Sequence, residues 1–272
     1  MLSDIAVYIE ALSQVIPIIL LLLLGVLLRR LRFLKVETVA ELKKLVVNVT
    51  LPALLFLAFS QVELQPQYLL VSLAVFVACA LVMLLARVPA AAGQQNAYFP
   101  FLLTGFEAGM MGYAIFGSVY GTESVFKFGI VDLGQVVFVF FVMVPLLERL
   151  SSGAQPFSET VKGFFTTPVI LAILAGIVFN QLGLATVFAE RPLTASILET
   201  ISLVGSLTTP LVTVAIGYEI QLRSGNLRRP ATTVAVRLAV WIAIGIGFSA
   251  LLIDRFLGLD REFQAAVLTM FV

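Results

Sequence analysis

Histidine is absent from this chain of 272 residues, and Cys79, placed in an apolar run, is its one cysteine. Imidazole chemistry, disulfide frameworks and Cys/His metal sites are thereby excluded or nearly so. Charge is scarce too: Asp, Glu, Lys and Arg make up 12% of the residues, about half of what a soluble domain carries. The net charge of +1 gives no reason to expect nucleic acid as a partner. No Lys or Arg precedes Arg29, and Asp4 and Glu10 stand there instead, so the basic start of a signal peptide is missing. The first apolar stretch is expected to remain as a membrane helix. Enzyme chemistry also lacks its parts. No Gly-x-Ser-x-Gly or Lys-paired Ser occurs, and no second Asp lies near Asp132 to make a carboxylate dyad. The expectation is no enzyme, no metal and no cofactor.

What fills the chain instead is apolar: 60% of residues are hydrophobic and the mean hydropathy is +1.07. Runs of about 20 apolar residues mark membrane helices. Eight occur, near 12–31, 40–60, 67–87, 97–119, 124–147, 163–182, 195–221 and 230–253. A ninth begins near 261 and meets the chain end at Val272. Connections are short, and the longest, near 148–162, is polar (Ser151, Ser152, Gly153, Gln155, Pro156). The fold class expected is an all-α polytopic membrane protein built as one bundle.

Two stretches look like copies. Pro17 and Gly25 recur at the same spacing as Pro168 and Gly176 (25 − 17 and 176 − 168). Further on, Leu-Val-Val-Asn-Val-Thr-Leu-Pro ends at Pro52 and Leu-Val-Gly-Ser-Leu-Thr-Thr-Pro ends at Pro210. Internal repeats of inverted topology are common in secondary transporters, with a substrate site near the bilayer midplane between them. Lys and Arg agree. With the N-terminus outside, Arg29, Arg30, Arg32, Lys35, Lys43, Lys44, Arg87, Arg149, Lys162, Arg223, Arg228 and Arg229 are cytoplasmic, and Lys127, Arg191, Arg255 and Arg261 are not. Five helices in the first half then put the second half in upside down. Residues 1–150 are expected to form one five-helix repeat and 151–272 the second, incomplete at its C-terminus.

Candidate site residues are polar groups inside the spans. The fourth span holds Gly105, Gly109, Gly112 and Gly117 around Glu107. Each Gly lowers helix propensity by about 1 kcal/mol relative to Ala, so this span either unwinds or packs very closely. Packing does not explain Glu107, because an intramembrane carboxylate is costly and by default marks a substrate, ion or proton site. Asp132 and Gln135, three apart, share a helix face, as a coupling group or as a rim pair with Lys127. Asn48 and Thr50 precede Pro52, and Thr208 and Thr209 precede Pro210. Proline cannot donate its backbone hydrogen bond and breaks the helix there, which suits ligand coordination as well as simple back-bonding. Arg237 is the one cation well inside a span, either receiving an anion or snorkelling to the interface.

The phrases Leu45-Val-Val-Asn-Val-Thr-Leu-Pro-Ala-Leu-Leu-Phe56, Gly105-Phe-Glu-Ala-Gly-Met-Met-Gly-Tyr113 with Val119-Tyr-Gly121, and Thr209-Pro-Leu-Val-Thr-Val-Ala-Ile-Gly217 resemble the auxin efflux carrier family, which includes bacterial malate permease-like proteins. The resemblance covers nearly the whole chain. It implies ten helices in two inverted repeats, with the fourth and ninth broken and crossing as in bile-acid-symporter-like folds, in a plasma-membrane carrier of organic anions. Two departures bear on mechanism. Many members carry Asn where Glu107 stands and Pro where Ala114 stands, so proton or cation coupling enters as an expectation of its own. The sequence also stops before the rest of the ninth helix and the tenth.

The functional expectation is a secondary transporter of small carboxylates such as malate, or of auxin-like acids, working by alternating access. The alternative is a cation channel or a non-transporting sensor of the same fold. The partners expected are a small organic anion and the lipid bilayer, with a homodimer left open.

Overall fold

The computed structural model describes residues 2–91, 97–104, 111–151, 156–220 and 228–271, with side chains from Ile16 onward except at 89–91, 151, 157 and 228–230. Most of those residues are helical, and no strand occurs among them. In chain order, α1 is Leu2–Arg30, which passes through Pro17 without a break. Next, α2 (Val36–Leu45) continues through a π-turn, Val46–Thr50, into α3 (Leu51–Ser60). Then come α4 (Pro66–Ala91), α5 (Phe99–Thr104) and α6 (Tyr113–Tyr120). A short 3-10 turn leads into α7 (Val125–Phe138), which a π-turn joins to α8 (Val144–Ser151). The second half of the chain gives α9 (Phe157–Thr166), α10 (Pro168–Gln181), α11 (Leu184–Glu190), α12 (Pro192–Ser206) and α13 (Thr208–Glu219). It ends with α14 (Arg228–Phe248), a π-helical stretch Ser249–Phe256, and α15 (Arg261–Phe271).

Five of these stretches are long and apolar enough to cross a membrane: Val36–Ser60, Pro66–Val88, Thr122–Leu150, Pro192–Glu219 and Ala231–Phe256. A sixth is the pair Ser158–Thr166 and Pro168–Gln181, bent by 62°. The bend has a local cause. The residue before a proline is pushed out of the helical region, and Thr167 sits at φ −65°, ψ 126°. Sequence periodicity suggested one run near 163–182; the structure starts the apolar helix at Pro168 and turns 157–166 into a separate helix. The span expected near 97–119 includes 105–110, which lie outside the described residues.

Large aliphatic side chains point outward along α4, among them Leu69, Leu73, Leu81, Leu84 and Leu85. A soluble protein rarely exposes an apolar face of that length, whereas hydrocarbon is its natural surrounding. Inside, Cys79 is fully buried among apolar neighbours and remains a free thiol.

The chain sorts into two compact units with interleaved segments. The first comprises Met1–Glu63, Gly109–Phe126 and Thr167–Leu222, and the second Leu64–Ala108, Lys127–Thr166 and Arg223–Val272. Each unit draws on both of the halves read at 1–150 and 151–272. A repeat is a statement of symmetry and a unit a statement of contact, so the two divisions describe different things.

Candidate functional site

The first unit is organised by two helix crossings, α1 with α13 and α10 with α3. Both are built on a glycine whose missing side chain lets backbones touch. A Cβ on Gly25 would run into the carbonyl of Val214 and come within 2.7 Å of the Tyr218 nitrogen and 2.9 Å of Gly217. A Cβ on Gly176 would meet the Phe56 carbonyl at 2.6 Å, the Phe59 Cβ at 3.1 Å and the Ser60 nitrogen at 3.2 Å. Small residues at such positions are how membrane helices approach without a hydrophobic driving force between them.

These two contact sets correspond residue by residue. Gly176 lies 151 positions after Gly25, as Pro168 does after Pro17 (176 − 25 and 168 − 17). Val214, Gly217 and Tyr218 lie 158 positions after Phe56, Phe59 and Ser60, the spacing that separates Pro210 from Pro52 (210 − 52). The two crossings thus use positions at matching offsets in the sequence. At the helix ends only the donors match in position: Arg29 Nη1 donates to the Tyr218 carbonyl at 2.9 Å, and Asn180, which is 151 residues further on (180 − 29), donates from Nδ2 at 2.5 Å to the Val62 carbonyl, two residues past the position that corresponds to Tyr218.

Thr50 and Thr208 are the pair of candidate residues that this unit brings together. Both are buried, and Thr208 Oγ1 donates to Thr50 Oγ1 at 3.0 Å. They too are 158 apart (208 − 50). This bond joins the two hydroxyls inside the buried contact. Backbone irregularity precedes each neighbouring proline: the π-turn Val46–Thr50 before Pro52 and the interruption at Leu207 before Pro210. Asn48 does not join this pair. It is exposed, and its Nδ2 donates to the Lys44 carbonyl at 2.7 Å. Thr209 is half-buried. Lys43 and Glu219, near span ends, form an ion pair at 2.9 Å; such exposed pairs contribute little.

The same unit holds a cavity of about 270 Å³ whose lining includes Gln61, Thr122, Glu123, Ser202 and Ser206. Sequence reading missed it. Glu123 stands beside the end of a run and looks like an ordinary interfacial residue. Its carboxylate occupies the space next to Gly121, whose φ of +82° suits glycine and turns the chain there.

In the second unit, α4 and α7 touch through Gly134, where a Cβ would meet the Ser72 carbonyl, and Ser72 Oγ donates to the Ile130 carbonyl at 2.6 Å. That contact fixes α7, which carries Asp132 and Gln135; both are buried, and both have interaction partners. Lys127, one turn earlier, is mostly buried and reaches the carboxylate of Asp260 and, at 2.6 Å, Glu262 Oε2. Asp260 has a second task, since its Oδ1 accepts the Phe263 N–H at 3.1 Å at the start of α15.

Arg237 is half-buried and donates from Nη1 to the Leu102 carbonyl at 3.4 Å. One turn along α14, the fully buried Trp241 donates from Nε1 to the Leu103 carbonyl at 2.7 Å. α14 thus supplies donors to two successive carbonyls of α5. Trp241 escaped notice in the sequence because a lone tryptophan in an apolar run reads as bulk. Gly105, Glu107 and Gly109 lie outside the described residues. Gly112 is buried just before α6.

Comparison with known sequences adds the family. The model of a family described as membrane transport protein matches residues 10–160, more than half of the chain. An "uncharacterized transporter" of Methanothermobacter thermautotrophicus is 24% identical over 223 residues, covering 80% of this chain and 70% of the relative.

Proposed function

The chain belongs to the auxin efflux carrier family of membrane transport proteins, and on that premise we propose that it is a secondary active carrier of small organic anions working by alternating access. It is a multi-pass membrane protein of a transporter family, not an enzyme. The observation that carries the finer reading is the matched pair of crossings in the first unit, with Thr50 and Thr208 bonded to each other. A correspondence of that kind supports a pseudo-two-fold relation between residues 1–150 and 151–272, the architecture on which alternating access is commonly built. In this reading the paired hydroxyls are a latch between equivalent helices. The excess of Lys and Arg on one side supports an N-terminus outside the plasma membrane.

Glu107 is the proposed coupling group, with Asp132 and Gln135 as further polar groups of the transport path. A neutral Glu107 carboxyl can meet an anion, whereas the ionised form repels it, so proton movement would accompany substrate.

The test is uptake of labelled malate and other small carboxylates into proteoliposomes, with and without an imposed pH gradient. Saturable uptake that responds to the gradient, and a Glu107→Gln protein whose uptake no longer responds, is the expected result. An unchanged pH response in Glu107→Gln removes the coupling role. Large unitary currents would replace the carrier with a channel, and absence of flux from correctly folded protein would favour a sensor.

A further inference from the structure

Arg87 and Arg149 stand at the ends of two apolar spans in the second unit, and no carboxylate partner is recorded for either among the described residues. Together they rim a cavity of about 380 Å³. The rest of its wall is apolar and includes Pro100 and Phe101 of α5 and Leu146 and Leu150 of α8. Leu150 is exposed beside Arg149, and Arg87 follows the outward-facing Leu84 and Leu85 on α4. The combination is unusual for a site meant for a small soluble anion. Such an ion would lose water against apolar walls and regain only part of it from the two guanidinium groups.

We propose that this cavity binds an anionic phospholipid, its phosphate held between Arg87 and Arg149 and the upper part of an acyl chain laid on Pro100, Phe101, Leu146 and Leu150. Each feature has its place in that arrangement. The ends of membrane spans lie at headgroup level, where Arg stems lie along apolar surface and their charged ends reach phosphate. A guanidinium matches phosphate oxygens with two parallel hydrogen bonds, and a second one lining the same cavity favours an anionic headgroup over a zwitterionic one. Basic pockets between membrane helices recognise anionic lipid in this way. The inference is independent of the transport reading, since it concerns lipid retention and not substrate.

The experiment is native mass spectrometry of the purified protein titrated with phosphatidylglycerol, phosphatidylcholine or glycerol 3-phosphate. Helical circular dichroism and elution volume serve as checks that each variant is folded. The expected result is one retained phosphatidylglycerol bound more tightly than phosphatidylcholine, with little binding of glycerol phosphate. Arg87→Gln or Arg149→Gln should weaken retention by roughly fivefold, and the pair by roughly thirtyfold. Leu146→Trp, which keeps both charges but fills the cavity, should also lose it. Equal retention of the two lipids, or undiminished retention in the double Gln protein, would overturn the proposal. So would glycerol phosphate displacing the lipid, which would make this a site for soluble anions.

Discussion

The crossing of α1 with α13 and that of α10 with α3 use the same positions but not the same residues. In the first, glycine stands on both helices: Gly25 faces Val214 and Tyr218, and a Cβ on Gly217 would run into the Leu22 carbonyl. In the second, Gly176 faces Phe56 and Ser60, but Phe59 occupies the place that corresponds to Gly217. The ends differ in kind as well. Arg29 adds a charge and lies 5.6 Å from the centre of the Tyr218 ring, whereas Asn180 offers a neutral amide. The lesson is that the two crossings share the backbone approach, while the side chains around it differ. A crossing with glycine on both sides has no flexible side chain to yield, and a crossing with Phe59 on one side has some room to adjust.

That comparison sets the order of expected effects. Of the two crossings, the one with glycine on both sides should suffer more: Gly217→Ala should cost about 3 kcal/mol, because the new methyl overlaps backbone that cannot move without separating α1 from α13. Gly176→Ala, with a shallower overlap, should cost about 2 kcal/mol. Thermal unfolding in one detergent ranks them, and an equal or reversed order would break the distinction between the crossings.

Next come the hydroxyls. Thr50→Val and Thr208→Val should each cost about 1 kcal/mol and by similar amounts, since each strands its partner. The double variant should cost less than the two singles summed, because no buried hydroxyl is then left over. Strict additivity in this cycle would mean that the hydrogen bond between them contributes nothing. Smallest are the end tethers. Arg29→Ala should cost somewhat more than Asn180→Ala, both about 1 kcal/mol or less, because charge-assisted donors are stronger than neutral ones. Hydrogen exchange at the ends of α13 and α3 reads this pair directly.

Much of the fold was legible before any coordinates. Five of the eight apolar runs coincide with long membrane-crossing helices, because membrane burial needs only length and composition, and Gly25 and Gly176, picked out by their spacing from Pro17 and Pro168, both turn out to lie at helix crossings. Less of the site was legible. Thr50 and Thr208 were singled out for their place before Pro52 and Pro210, yet nothing in a linear pattern says that two residues 158 apart bond to each other. Asn48, chosen on the same grounds, turns back to the Lys44 carbonyl instead. Glu123 and Trp241 were passed over because their roles depend on neighbours from distant segments, the cavity wall in one case and the Leu103 carbonyl in the other.

By itself, then, the sequence determined an all-helical chain that lives in a membrane, without imidazole or disulfide chemistry, because composition and hydropathy act locally and need no partner. Only the tertiary structure decided that consecutive segments separate into interleaved units, and that each glycine meets a particular backbone. Those outcomes depend on which helices come side by side, and in a bilayer that is settled by small residues and hydrogen bonds at the contacts rather than by apolarity, which every helix shares.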